Sequence, residues 1–264
     1  MTTSTLAGPS WGGVTASLLL VAVAAAVAYR QRLRLTREIV AAGVRAGVQL
    51  IAVSAILLVL FRRAALPGAA GWVTVMILIA GQVAGRRGVG VPRARTAATV
   101  GVAAGTVVTL GALLAAGVIA PQASVIVPVG GMIVAAGMQA AGIALRRLRE
   151  DAQNACPVIE TRLCLGQSAR QAFLPHQRSA LRTALIPAID STKVVGLISL
   201  PGAMAGLILA GVDPQTAIRY QIVVMYMLLA ATALAALTAA RLAERALFEE
   251  AHRLVALAPP VNRE

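Results

Sequence analysis

The 264 residues are 58% hydrophobic and only 13% charged, with a mean hydropathy of +0.80, far from globular usage, in which about a quarter of residues carry charge. A formal charge of +14 would suggest nucleic acid if it lay on a soluble domain, but the arginines fall in short connections between apolar runs, where they orient a membrane protein. Tyr, Phe and Trp together make 3%, so the stacking platforms of single-strand binders are missing. These bounds exclude a nucleic-acid binder and predict an all-α, polytopic transmembrane helical bundle in a lipid bilayer.

The opening MTTSTLAGPSWGG has no Arg or Lys before the first apolar run. A cleaved signal needs a basic segment there, so the run is expected to remain as a first span. Stretches long enough to cross about 30 Å of hydrocarbon, at roughly 20 residues each, then follow in turn. They run from about Val14 to Ala28, Ile39 to Phe61, Trp72 to Gly85, Ala97 to Ala120, Val125 to Leu145, Leu185 to Val212 and Ala217 to Ala240. About seven spans are expected, with six and eight as alternatives because the third is short and the sixth long.

The connections set the orientation. Arg30, Arg32, Arg34 and Arg37 follow the first span, and Arg86, Arg87, Arg93 and Arg95 the third. Arg146, Arg147, Arg149, Arg162, Arg170, Arg178 and Arg182 follow the fifth, and Arg241, Arg245 and Arg253 the seventh. The alternate connections are nearly bare, apart from Arg62 and Arg63. The positive-inside rule therefore predicts the N-terminus outside and the C-terminus cytoplasmic. Glycines recur four residues apart at Gly43 and Gly47, Gly81 and Gly85, Gly101 and Gly105, and Gly202 and Gly206, a spacing that lets helix backbones approach in lipid.

The second span carries Arg45 and Gln49 one turn apart. Arg45 lies about 10 Å from the predicted cytoplasmic end at 1.5 Å per residue. It can snorkel to the headgroups, or face the bundle with Glu38, Asp190 or substrate as partner.

The longest connection, 146–182, is the one large enough for a folded cytoplasmic element. In VIETRLCLGQSARQAF, Ile159, Leu163, Leu165, Ala169 and Ala172 recur at helical spacing, with Arg162 and Arg170 off that face. This predicts a short amphipathic helix broken near Gly166, lying on the membrane surface or docking a cytosolic partner. Glu160, six residues before Gly166, resembles the start of the coupling signature of ABC importer permeases, although Thr161 and Arg162 stand where that signature has alanines. Glu160, Arg162, Leu163, Gly166 and Arg170 are the candidate coupling residues.

The sixth span carries Asp190 and Lys193, the latter the chain's single lysine. An isolated ion at membrane depth is costly and normally faces a bundle interior or a wet pathway. Spacing i, i+3 lets the two neutralise each other. Pro201 and Gly202 then interrupt the helix, and a broken span is tolerated against protein or a water-filled cavity. The pair is the candidate pathway or gate, with Arg45 and Gln49, and Pro201-Gly202 the candidate hinge.

Other chemistry is absent from the sequence. It has no GxxxxGK[ST] phosphate loop, HExxH, CxxC pair or GxSxG, so no catalytic residue and no resident metal is expected. Cys156 and Cys164 read as reduced thiols, His176 and His252 as solvated side chains, and Met132, Met138, Met204, Met225 and Met227 as adaptable packing rather than soft metal contacts.

One stretch carries a family likeness: RxxxRxALIPxIDxxKxVGLxSLPGxMxGLILAGxDPxxAIxYQIxVxxML, from Arg178 through Leu228. It resembles the permease family that includes the bacterial iron-export ABC permease and the plant aluminium-sensitivity half-transporter. The likeness is dense over Gly166 to Leu237 and continues upstream through Arg45, Gln49 and Leu50 and through Pro128, Gly131, Met132 and Ile133. It departs where the family has Gly-Asn and this chain has Ala135 and Ala136.

The resemblance implies a single transmembrane permease domain over 1–264, the membrane half of an ABC exporter in the cell (inner) membrane. It implies a homodimer working with a separate cytosolic ABC ATPase that holds the ATP and Mg. The competing reading from the residues is a secondary transporter or channel in which Asp190 titrates or binds a cation. Lys193 argues against that reading, since its charge would repel the ion.

Overall fold

The computed structural model describes residues 11–32, 36–63, 66–198, 200–248 and 254–255. Arg34, His252 and Arg253 lie outside the described residues. The helices are α1 (Trp11–Arg30), α2 (Thr36–Arg63), α3 (Leu66–Arg87), α4 (Ala94–Ala115), α5 (Ala123–Asn154), α6 (Cys156–Cys164), α7 (Ala169–Val194), α8 (Gly202–Leu209) and α9 (Pro214–Leu247). No strand occurs among the described residues, as the composition predicted. Four helices among them, α3, α4, α5 and α9, are long and apolar enough to cross a membrane, and Thr15–Arg30 is a shorter apolar helix.

Two compact units result. The smaller is built on α1 and α2, where Ala25 and Ala28 are buried and Gly43 brings α2 against Val21, a Cβ there falling 3.2 Å from Val21 Cγ1. The larger is built on α3 to α7 and α9. Its helices meet through small residues, because without a hydrophobic drive between apolar helices close backbone approach provides the attraction. A Cβ at Gly101 would lie 2.7 Å from the Ala235 carbonyl oxygen, and one at Gly105 2.8 Å from that of Ala231. That order makes α4 antiparallel to α9. Gly81 and Gly85 do the same for α3 against Thr99 and Arg95 of α4. At Gly47, Gly202 and Gly206, by contrast, a Cβ would meet nothing within 4 Å among the described residues.

Around α9, α5 runs parallel and α7 antiparallel. Ile133 packs with Met227 and Ala231, and Ala140 and Ala144 of α5 gather with Ala184 and Ala236. The buried face of α9 is mostly alanine, from Ala217 to Ala243, while Val107, Ile79, Ile222 and Tyr226 stand exposed on the outside, the apolar exterior a lipid belt requires.

The helix edges differ from the apolar runs in two places. The connection 146–182 is mostly helix: α5 continues to Asn154, held by the ladder Arg146–Glu150 (2.9 Å) and Arg147–Asp151 (3.4 Å), and α7 starts at Ala169. Nor is 185–212 one span interrupted at Pro201-Gly202. The chain leaves the helix earlier, at Val195, which is extended, and Gly196 follows at φ +82°, a conformation glycine adopts without strain. Pro201 instead opens α8, its carbonyl accepting from Ala205 N at 3.0 Å, since a missing N–H costs nothing at a helix start.

Candidate functional site

Between α5, α7 and α9 lies a cavity of about 360 Å³. Its polar lining consists of Gln139 from α5, Ser191 and Thr192 from α7 and Thr232 from α9, with the thioethers of Met132 and Met225 beside them. Ala135 and Ala136, where the sequence departs from the family pattern, also line it. The three hydroxyls share one habit. Ser191 Oγ donates to the Pro187 carbonyl at 2.7 Å, Thr192 Oγ1 to that of Ala188 at 2.8 Å and Thr232 Oγ1 to that of Leu228 at 2.6 Å. A hydroxyl whose hydrogen is committed to its own helix keeps only lone pairs to offer, so these three present acceptors to a ligand. No charged side chain among the described residues lines the cavity. By level, it lies beside Met225 to Thr232, midway along the apolar run of α9.

The structure does bring Asp190 and Lys193 together, with Nζ 3.6 Å from Oδ1. It does not enclose them: their side chains are 61% and 70% exposed, so the expectation of a pair shut inside the bundle is not met within the single chain. The reason is helix phase. At about 100° per residue, Pro187, Ala188, Ser191 and Thr192 form the face on the cavity, and Asp190 and Lys193 fall on the opposite one. Arg45 and Gln49 lie in the smaller unit, both exposed. Arg45 has no carboxylate within 4 Å among the described residues, so pairing with Glu38 is not observed.

The α6–α7 element matches its sequence signals in part. Gly166 has φ +85°, where the break was predicted, and Ser168 caps α7 in a reciprocal pair with Gln171, satisfying backbone donors at the helix start. Ile159 and Ala172 are fully buried. Leu165, expected on the buried face, is 76% exposed. Arg162, expected off that face, reaches back so that Nη1 donates to the Ala172 carbonyl at 3.1 Å. Glu160 and Arg170 are exposed and Leu163 half-buried. Burial, aided by the Glu160 carboxylate, pushes the Cys156 thiol up from its ordinary range.

A polar pair that sequence reasoning missed joins α7 to α9 just behind this element. Gln177 donates its amide to the buried Glu244 carboxylate, and Arg170, Arg245 and Arg241 lie near enough to act on that charge. The signal was available, because Glu244 keeps the 3.6-residue phase of Ala236, Ala240 and Leu247.

Comparison with known proteins settles the family. The chain matches UPF0014, described as "Uncharacterised protein family (UPF0014)", over residues 11–248. It belongs to that family. It is 40% identical over 243 residues to the rice (Oryza sativa subsp. japonica) "UPF0014 membrane protein STAR2", an alignment covering 90% of this chain and 84% of the relative. It is 35% identical to "Protein ALUMINUM SENSITIVE 3" of Arabidopsis thaliana, over 90% of this chain and 88% of that one. It is 34% identical to "Probable iron export permease protein FetB" of Escherichia coli K12, over 90% and 92%. No solved structure matches. This UPF0014 member is thus a helical membrane protein of the family its C-terminal motif indicated.

Proposed function

We propose that this UPF0014 protein is the transmembrane permease subunit of an ATP-binding cassette transporter in the cell membrane, exporting iron or another metal ion. A separate cytosolic ATPase drives it, as two copies of each subunit, with seven spans, the N-terminus outside and the C-terminus cytoplasmic. The observation that carries the reading is the acceptor-lined cavity of α5, α7 and α9, set beside a helix that ends midway along its neighbours, in a chain similar over most of its length to a protein named an iron export permease. Broken helices at bilayer mid-depth are where transporters bind cargo.

In this reading the ATPase docks beneath Glu160 to Gln171. Movement passes along α7, whose start Arg162 braces through Ala172, to the break at Val195 to Pro201. Asp190 and Lys193 act as a polar lock on the outer face of α7, and Arg45 as a second charge.

The test is reconstitution in vesicles with the cognate ATPase, measuring ATP-dependent flux against a panel of metal ions. Flux that requires hydrolysable ATP and survives an ionophore supports the reading. Flux abolished by the ionophore and indifferent to ATP sinks it in favour of a secondary transporter using Asp190.

A further inference from the structure

The arginines that follow the third and fifth apolar runs are more than an orientation signal, because the fold gathers them. α3 ends in Arg86 and Arg87; the turn to α4 carries Arg93, held at φ +54°, and Arg95 begins the next helix. From α5, Arg149 passes beneath this turn: a Cβ at Gly90, itself at φ +103°, would lie 3.2 Å from Arg149 Nε. In return Arg87 lies along α5, its Cδ 2.8 Å from where a Cβ of Gly142 would be. Glycine at 90 and 142 therefore leaves room for one guanidinium stem at each contact.

Charge is left over at this junction. Glu150 and Asp151 are used by Arg146 and Arg147. Arg86, Arg87, Arg93, Arg95 and Arg149 have no carboxylate within 4 Å among the described residues. Arg149 Nε is buried with no hydrogen-bond partner among the described residues, a donor that calls for an acceptor. Four of the five side chains are exposed.

We propose that the α3–α4 turn and the adjoining end of α5 form a binding site for the phosphate groups of anionic phospholipids. Location selects lipid over a soluble anion. The cluster lies where α3 ends, α4 begins and the apolar run of α5 gives way to charged residues, the level at which headgroup phosphates lie, and basic pockets between helices at that level take such headgroups. Arginine suits the task because its planar fork offers paired donors to phosphate oxygens. The short turn from Gly88 to Pro92 keeps the cluster close to the surface.

The experiment uses the full chain in detergent, titrated with phosphatidylcholine, phosphatidylglycerol or cardiolipin. Thermal melting and native mass spectrometry of retained lipid are the readouts. The wild type is expected to retain the anionic lipids and melt higher with them. R87Q/R93Q/R95Q should bind them on the order of a hundredfold more weakly, while R30Q/R32Q keeps wild-type binding. Equal retention of phosphatidylcholine would overturn the proposal, as would inorganic pyrophosphate reproducing the shift at the same concentration, or the two variants losing lipid alike. Should the triple variant fail to fold, R93Q and R95Q singly, with high-salt release of lipid from the wild type, decide the matter. Lipid retained in both single variants and at high salt also overturns it.

Discussion

The Asp190–Lys193 pair offers a measurement whose size reports on its surroundings. At a separation of 3.6 Å, two unit charges attract by about 1 kcal/mol in bulk water and about 5 kcal/mol at an effective dielectric of 20. In water the second figure is out of reach, and exposed pairs measured by double-mutant cycles give roughly 0.2–1 kcal/mol. Within this chain both groups are more than half exposed, yet they stand level with the middle of the α9 apolar run. On the proposed reading a partner surface or a narrow pathway covers them, and their coupling should exceed about 2 kcal/mol, between those limits. Asp190→Asn, Lys193→Gln and the double variant would be made in nanodiscs, with stability and ATP-driven flux measured for each. Either single change should cost more than the double one, because it strands one ion. A coupling below about 0.5 kcal/mol that shrinks further as salt is raised, with flux unchanged, would refute the reasoning and leave an ordinary solvated pair.

The remaining predictions bear on packing, reactivity and the cavity. Gly101→Leu should weaken the α4–α9 contact by about 1–3 kcal/mol, read from denaturant unfolding, because its Cβ would meet the Ala235 carbonyl oxygen at 2.7 Å and Ala239 Cβ at 2.8 Å. Glu244→Ala leaves the Gln177 amide without its acceptor and should cost about 1–3 kcal/mol, whereas Glu244→Gln should lose less; equal losses would argue against the hydrogen bond. A maleimide should label exposed Cys164 before half-buried Cys156. Raising the pH should accelerate Cys156, whose thiol burial holds protonated above its ordinary range. Ala136→Asn adds an amide to the cavity lining and should change the rank order of transported ions without lowering expression; an unchanged rank order would separate the cavity from selectivity.

Which features were legible in the chain follows from which were local. The Gly166 turn and the i, i+3 contact of Asp190 with Lys193 depend on neighbours in sequence, and both are present; of the apolar runs, the third, fourth, fifth and seventh fall in helices long and apolar enough to cross a membrane. The glycine pairs were half legible: Gly101 and Gly105 pack on α9, but a Cβ at Gly202 or Gly206 would meet nothing within 4 Å among the described residues, since spacing creates a smooth face without supplying a partner for it. Pro201 was read as a breaker, although proline is as much at home at the start of a helix as destructive inside it. Which role applies depends on Gly196 five residues earlier. Arg162 was placed off the apolar face by helical spacing, yet its long stem carries the guanidinium to a carbonyl on the next helix, as amphipathic side chains do.

The depth at which Asp190 sits and the direction it faces are separate matters, and the second was readable too. Along α7 the buried positions are Ala172, Phe173, Gln177, Ala180 and Ala184, a stripe that continues through Pro187, Ala188 and Ser191 into the cavity. Extending it by helical phase puts both ions on the far side. On the proposed reading, charge and binding surface are thereby separated across one helix, which divides the work between two faces. The inner face offers hydroxyl lone pairs, an amide and thioethers, donors able to replace part of a cation's hydration without the grip of a carboxylate, as conduction of cargo requires. The outer face carries a self-neutralising pair that has no net attraction for a cation and is suited to holding or releasing a neighbouring surface. A cargo ion bound by Asp190 itself would have to displace Lys193 and cross to the opposite side of the helix, and for that reason the proposed gate and the proposed cargo site are different residues.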